Sequence, residues 1–224
     1  MEPDPFPPSE FDDWSAQYDA DVASDAFPFT GYRRVLEEVV RAAEAEPGMP
    51  VLDLGVGTGN LATLFAALGS KLWCTDFSEE MLKRARAQLP FAALFLHDLR
   101  TPLPPALNRR FDRIVSAYVF HHFDLAEKVA IVRRLLADHL APGGRLVIAD
   151  VSFPTSQTLD AQRRAAGDLW EEEPFWIAAE AVPALESAGA IVGYTQVSEC
   201  AGIYVLTATG IEPPQRESSR PPPL

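Results

Sequence analysis

Residues 51–60 read VLDLGVGTGN, an apolar run with an acidic residue inside it, followed by three glycines spaced two apart. Val51 to Leu54 have the length and composition of a short buried strand. A strand that runs straight into Gly55, Gly57 and Gly59 turns tightly and leaves its backbone open to close approach. Leu61, Leu64, Phe65 and Leu68 then recur at helical spacing from Asn60 onward. A strand, a loop without side chains and a helix in immediate succession bring free N–H groups and the positive end of a helix to one spot, which suits an electron-rich ligand group. This context, which a bare glycine pattern lacks, predicts a nucleotide-binding turn in an α/β fold.

Lys71 to Thr75 (KLWCT) form a second strand-like run, and Asp76 ends it. It falls about twenty residues after the first glycine, where α/β nucleotide sites place a ribose-binding carboxylate. Ser78 reads as an N-cap, with Glu79 and Glu80 in the first turn of a helix reaching about Leu89. Gly57, Gly59 and Ala62 also satisfy the G-x-G-x-x-A form of the dinucleotide fingerprint, so a nicotinamide-dependent oxidoreductase is an alternative. Asp53 separates the two readings. A carboxylate beside the glycine loop attracts an ammonium group and repels a pyrophosphate.

Asp53, Gly55, Gly57 and Gly59 together resemble the first motif of the class I S-adenosylmethionine-dependent methyltransferases, and the resemblance runs from about Phe11 to Thr209. Leu94 to Asp98 (LFLHD) is similar to the family's third strand and its acidic end. Phe111 to Phe123 (FDRIVSAYVFHHF) is similar to the fourth-strand segment, and Ala141 to Val151 (APGGRLVIADV) to the loop and fifth strand, with Pro142, Gly143 and Gly144 in the turn. Ala190 to Glu199 and Gly202 to Thr209 are two β-rich runs on a very short connection, as in the antiparallel hairpin that sets this fold apart from a dehydrogenase sheet.

The resemblance implies a Rossmann-like three-layer α/β/α sandwich around a seven-stranded, mainly parallel sheet with an antiparallel last strand. It also implies S-adenosyl-L-methionine as cofactor, held by Asp53, Gly55, Gly57, Gly59, Asp76, Phe77, Asp98, Leu99 and Ser116. Asp53 would meet the methionine ammonium group, Asp76 the ribose hydroxyls and Asp98 the adenine amino group. Trp14 and Tyr18, in a segment similar to the family's W-x-x-x-Y-D, would close over the cofactor. His121, His122 and Tyr118 follow the fourth strand, near where the methyl group should sit, and are candidates for a general base if the acceptor arrives protonated. A cofactor-binding module without catalysis fits the same motifs.

The rest of the chain is read around this core. Residues 1–10 are acidic and proline-rich and expected to be disordered; residues 11–210 form the methyltransferase domain; residues 211–224, with five prolines from Glu212 onward, form a disordered tail. Within the domain, an N-terminal helical cap (11–46) and a late insertion (153–176) carrying Phe153, Trp170, Phe175 and Trp176 are expected to close on the cofactor and shape the acceptor pocket. Phe175 to Ser187 should form the last sheet-packing helix. Four aspartates around Trp14 and Tyr18 leave that segment few apolar contacts, which predicts a mobile lid.

His121 and His122 are adjacent and expected to point apart, and no third ligand at a metal spacing accompanies them, so no metal site is expected. A net charge of −13 disfavours nucleic acid as substrate, and the Arg33–Arg34, Arg109–Arg110, Arg133–Arg134 and Arg163–Arg164 pairs read as solvated faces. Ser116-Ala117-Tyr118 stands where amino-methylating nucleobase enzymes have Asn/Asp-Pro-Pro-Tyr, and the chain contains no Pro-Cys dipeptide, which leaves a small-molecule acceptor as the expected substrate. With 47% hydrophobic residues but no uninterrupted apolar stretch of about eighteen, no membrane span is expected. No secretory signal is visible, and Cys74 and Cys200 are too few for a disulfide scaffold, so a cytoplasmic location is expected. The acceptor's identity, the atom methylated and the oligomeric state stay open.

Overall fold

The apolar runs become strands, and their alternation decides which face each residue covers. The computed structural model describes residues 7–209, the side chain of Leu169 excepted; the expected tail at 211–224 and the first six residues lie outside them. The strands are β1 (Pro50–Leu54), β2 (Lys71–Asp76), β3 (Ala93–Leu96), β4 (Phe111–Ala117), β5 (Leu140–Phe153), β6 (Trp176–Ile177), β7 (Ala190–Gln196) and β8 (Ala201–Ala208). The helices are α1 (Pro8–Trp14), α2 (Tyr18–Ala23), α3 (Tyr32–Ala43), α4 (Asn60–Ala67), α5 (Glu79–Gln88), α6 (Leu125–Arg134), α7 (Ser156–Ala166) and α8 (Ala178–Ser187).

The sheet order is β3-β2-β1-β4-β5-β8-β7, with β6 attached to the end of β5. β1 to β5 run parallel, and β8 lies antiparallel to both β5 and β7. In β1, Val51 joins one buried cluster while Leu52 and Leu54 join the other; in β5, Val147 and Ala149 face the first and Leu146 and Ile148 the second. Leu36 and Val39 of α3, Phe65 of α4 and Leu82 of α5 cover the first face. Ile131 of α6 and Leu185 of α8 cover the second. Each such large aliphatic side chain contributes roughly 1.5–3 kcal/mol when fully buried, so the two clusters on opposite faces fix a three-layer α/β/α sandwich.

The sheet therefore carries the expected strands and the expected reversed last strand, plus the two-residue β6. That extra strand has a physical cause. Trp176 is buried, its indole nitrogen donates to Asp150 Oδ2 at 3.0 Å, and its ring lies 4.6 Å from that of Tyr204. Pinned in extended backbone beside Ser152, it delays the last helix, which begins at Ala178 and not at Phe175. Two further boundaries move. α1 begins at Pro8, inside the segment expected to be disordered, because proline is pre-set for the first helical position. The Pro142–Gly144 turn is absorbed into β5: the three residues Phe111 to Arg113 of β4 lie opposite the six residues Leu140 to Arg145 of β5, and the excess bulges out.

The order reverses between β1 and β4. Chain connections leave in opposite directions there, so a crevice opens above the carboxyl ends of these strands. Among the described residues no helix is long and apolar enough to cross a membrane.

Candidate active site

The three glycines of the loop after β1 are there for different reasons. Gly57 has φ +54°, and a Cβ added to it would meet nothing nearer than Tyr18 Cε1 at 4.0 Å; the space beside it is open cavity. Gly55, at φ +71°, packs so closely on Val119 that any side chain would overlap it. Gly59 starts α4 against Leu89, 3.2 Å from where its Cβ would lie, and so serves helix packing. Only Gly57 keeps room for a ligand.

Around this loop the crevice forms a cavity of about 820 Å³, counted out to its mouth. Gly55, Gly57, Asp76, Phe77, Asp98 and Leu99 line it, as do Tyr118, His121 and His122 on the far side and Trp14 and Tyr18 above. Sequence reading had singled out all eleven. Three other candidates are not on the wall. Asp53 ends β1 at 1% exposure, Gly59 is packed as described, and Ser116 donates its hydroxyl to the Leu54 carbonyl at 2.7 Å, tying β4 to β1.

Asp76 anchors the loop. Its Oδ2 accepts from the Gly57 N–H at 2.8 Å and its Oδ1 from the Ser78 N–H at 3.0 Å. Burial nonetheless pushes its pKa up to about 6, against these hydrogen bonds, which favour the ionised form. Burial pushes Asp53 further, to about 8, with the Asp76 charge adding to it. Asp53 Oδ2, Tyr118 Oη and His97 Nε2 are buried without a hydrogen-bond partner, a costly condition unless a ligand answers it. Tyr118 also holds φ +58°, rare for a bulky residue, and burial raises its hydroxyl well above its ordinary range. It is a poor candidate for a base.

Phe120–His122 form one turn of 3-10 helix, so the two histidines do not point apart as expected. Their rings lie side by side, 4.0 Å between centroids. His121 Nδ1 is bonded to Asp150 Oδ1 at 2.5 Å, and its Nε2 lies 3.4 Å from Glu173 Oε2. Burial works against the charged imidazolium of His121, but Asp150 and Glu173 more than offset it and its pKa rises. His122 is held down at about 2 by burial, with His121 and nearby cations adding to the effect. Asp150 and Glu173 were missed as site residues; Trp176, expected among the pocket aromatics, is buried and donates to Asp150. An acidic residue at the end of a buried strand was a usable signal for Asp150; Glu173, one of three consecutive glutamates, offered none.

The cap lies closed over the cavity. Phe11 meets Phe77 at 4.7 Å and His122 at 5.2 Å, and Trp14 meets Tyr18 at 4.8 Å. Asp12 accepts from Ser78 Oγ at 2.5 Å and from the Glu80 N–H at 3.2 Å, at the start of α5. Asp19 accepts from Thr58 Oγ1 at 2.7 Å and from Asn60 Nδ2 at 3.1 Å, at the start of α4. The acidic residues expected to leave this segment loose are thus part of what fastens it. On the other side of the histidines a second, open cavity of about 1810 Å³, counted out into solvent, is bordered by Phe27, Phe175, Asp21 and Glu173.

A glycine loop that leaves room at Gly57, a strand-end carboxylate beside it and a reversed last strand define a Rossmann-like methyltransferase site, not a dehydrogenase one. The comparisons agree. Residues 51–144 match the family model described as a methyltransferase domain. An uncharacterized methyltransferase of Bacillus velezensis is 36% identical over 156 residues, covering 67% of this chain and 70% of that protein. Among solved structures, a complex titled DhpI-SAM-HEP superposes with TM-score 0.69 at 20% identity, covering 88% of this chain and 94% of that one. Magnesium protoporphyrin IX methyltransferase of Synechocystis PCC 6803, solved with bound SAH, superposes with TM-score 0.64 at 18% identity, covering 90% and 99%. The chain belongs to the class I S-adenosylmethionine-dependent methyltransferase family.

Proposed function

We propose that the crevice above β1 and β4 binds S-adenosyl-L-methionine and that the protein transfers its methyl group to a small-molecule acceptor by in-line displacement. The observation that carries this reading is the open space at Gly57 together with Tyr118 Oη and His97 Nε2, buried polar atoms of wall residues that a ligand in this crevice would satisfy. Bound there, S-adenosylmethionine supplies a methyl group on a positively charged sulfur, already activated for displacement.

The chain's own residues orient and exclude. Asp76 holds the loop through the Gly57 N–H and keeps acceptor capacity for ribose hydroxyls, Asp53 offers a carboxylate to an ammonium group, and Asp98 stands at the adenine end. Trp14 and Tyr18 cover the cavity and keep water from the reacting centre. The acceptor enters through the second cavity, walled by the cap of residues 11–46 and the insertion of residues 153–176, and meets the methyl group at His121 and His122, which border both cavities. A reducing cytoplasm suits Cys74 and Cys200, both free and buried.

Calorimetric titration with S-adenosylmethionine against NAD tests the cofactor, and a metabolite panel assayed for S-adenosylhomocysteine release tests transfer. Heat with NAD and none with S-adenosylmethionine would sink the reading. Binding without turnover on any acceptor would favour a cofactor-binding module.

A further inference from the structure

His121, His122 and Glu173 each offer one ligand atom, and the three atoms lie within 4.8 Å of one another. The first two come from the turn after β4; the third lies fifty residues on, just before β6, so its proximity is made by the fold alone. His121 Nδ1 is committed to Asp150, which is itself fixed by the Val151 N–H at 2.9 Å and the Trp176 indole at 3.0 Å. Its Nε2 is thereby turned toward Glu173.

A histidine that gives its other ring nitrogen to a carboxylate is the usual arrangement behind a metal ligand, since it fixes ring and tautomer and strengthens the donor. Two imidazoles and one carboxylate form a donor set suited to Zn²⁺ or Fe²⁺, with positions left open. One spacing already agrees with that set, while the widest, up to 4.8 Å, requires the side chains to draw in on the ion. Ligands at about 2.0–2.1 Å from a tetrahedral ion stand about 3.4 Å apart, and His121 Nε2 and Glu173 Oε2 are 3.4 Å apart. A direct hydrogen bond at that distance is weak. The charges around the cluster balance before an ion enters: Asp150 and Glu173 bring two carboxylates, against the Lys128 ammonium, which donates to the Pro174 carbonyl, and the Arg100 guanidinium, which acts on His122.

We propose that His121, His122 and Glu173 form a divalent transition-metal site, oriented by Asp150, whose open positions face the junction of the two cavities. A metal there binds an acceptor hydroxyl or thiol; the proton leaves to water through the mouth of the second cavity, and a lone pair of the resulting anion forms the bond to the methyl carbon as the methyl–sulfur bond breaks and its electron pair stays on the sulfur of S-adenosylhomocysteine. The role in catalysis rests on the acceptor route proposed above; the metal site itself does not.

The test uses tag-free full-length protein stripped with chelator, then titrated with Co²⁺ and Zn²⁺ by calorimetry and by cobalt visible absorption, with thermal melts to confirm folding. One equivalent should bind, with the absorption of a four- or five-coordinate cobalt ion. Glu173→Gln, which keeps the side chain's shape, and His122→Ala should each weaken binding at least about tenfold, and Asp150→Asn about ten- to a hundredfold. S-adenosylmethionine titrated into the same samples separates the two readings, because cofactor binding at Gly57 does not require Glu173. No stoichiometric metal binding by a protein that still binds cofactor overturns this inference alone, and so does binding unaltered in Glu173→Gln, which would leave Glu173 as an ion-pair partner of His121 only.

Discussion

The two ends of the crevice are built differently. At the β1–β2 end the work is done by backbone: a loop bent through positive φ, two N–H groups held by Asp76, and helix starts facing the ligand. At the β4–β5 end it is done by side chains from distant segments, His121, Asp150, Glu173 and Trp176, which meet only in the folded protein. A backbone site is written in consecutive residues and serves any ligand with the right phosphate-free nucleoside and amino-acid groups. A side-chain site is scattered through the sequence and can change with the acceptor.

The largest expected effect breaks the first end. Gly57→Val should abolish cofactor binding, weakening it by more than about a hundredfold, roughly 2.7 kcal/mol, because its side chain would fill the cavity. The positive φ adds about 1–2 kcal/mol of instability. Gly55→Ala should behave differently: its Cβ overlaps Val119, so the melting temperature should fall, and Val119→Ala should restore part of it. Calorimetry and melts on the variants decide whether the loop contains two kinds of glycine; equal loss of affinity at unchanged stability would show that it does not.

Asp76→Ala should follow, with affinity reduced about ten- to a hundredfold, or roughly 1.5–3 kcal/mol, and some stability lost with the two backbone hydrogen bonds. An unchanged dissociation constant in a folded variant would remove Asp76 from the site.

Asp53 sharpens the same end through pH. Its folded pKa of about 8 lies above the ordinary carboxylate value, so between about pH 4 and 8 the folded apoprotein holds a proton that the unfolded chain has released. Its contribution to stability therefore falls as pH rises across that window, and Asp76, at about 6, adds to the fall in its lower half. A cationic ammonium favours the ionised form, so cofactor affinity should climb with pH up to about 8. Asp53→Asn should flatten both trends. Melts of the apoprotein and titrations at several pH values check them, and an Asn variant with the wild-type slopes would move the effect elsewhere.

At the second end, Trp176→Phe removes the indole donor to buried Asp150 and should cost about 1.5–3 kcal/mol of stability, as for a hydrogen bond to a charged group. Cofactor affinity should stay at the wild-type value, since the two ends share no hydrogen bond there. A matching loss of affinity would join the two regions into one unit.

This contrast also explains what could be read from the sequence. Val51–Leu54 and Lys71–Asp76 announced themselves by apolar runs ending at a glycine or in an acidic residue, while Phe111–Ala117 and the parallel core with its reversed last strand came from the family resemblance. Ser116 was placed at the cofactor by the family resemblance; it lies within β4 and its hydroxyl turns to the neighbouring strand, a choice no linear pattern records. The histidine pair was misread for the same reason. Strand geometry would separate adjacent side chains, but a 3-10 turn brings them together, and Glu173, 51 positions beyond His122, leaves no mark at the motif.

Asp12 and Asp19 sit across the joint between the cap and the starts of α5 and α4. The cap is thus latched by charge placed at the positive ends of two helices, the same ends that face the crevice. Cofactor entry and exit should then share one gate, separate from the acceptor's route, and the time the spent cofactor dwells after transfer should follow how often those two carboxylates let go. Asp19→Asn, which keeps an acceptor but removes the charge, should quicken both arrival and departure of cofactor by a few-fold and leave their ratio nearly fixed. Stopped-flow measurements on the wild type and the variant, together with hydrogen exchange over residues 11–22, would show the latch as a change of tempo without a change of affinity.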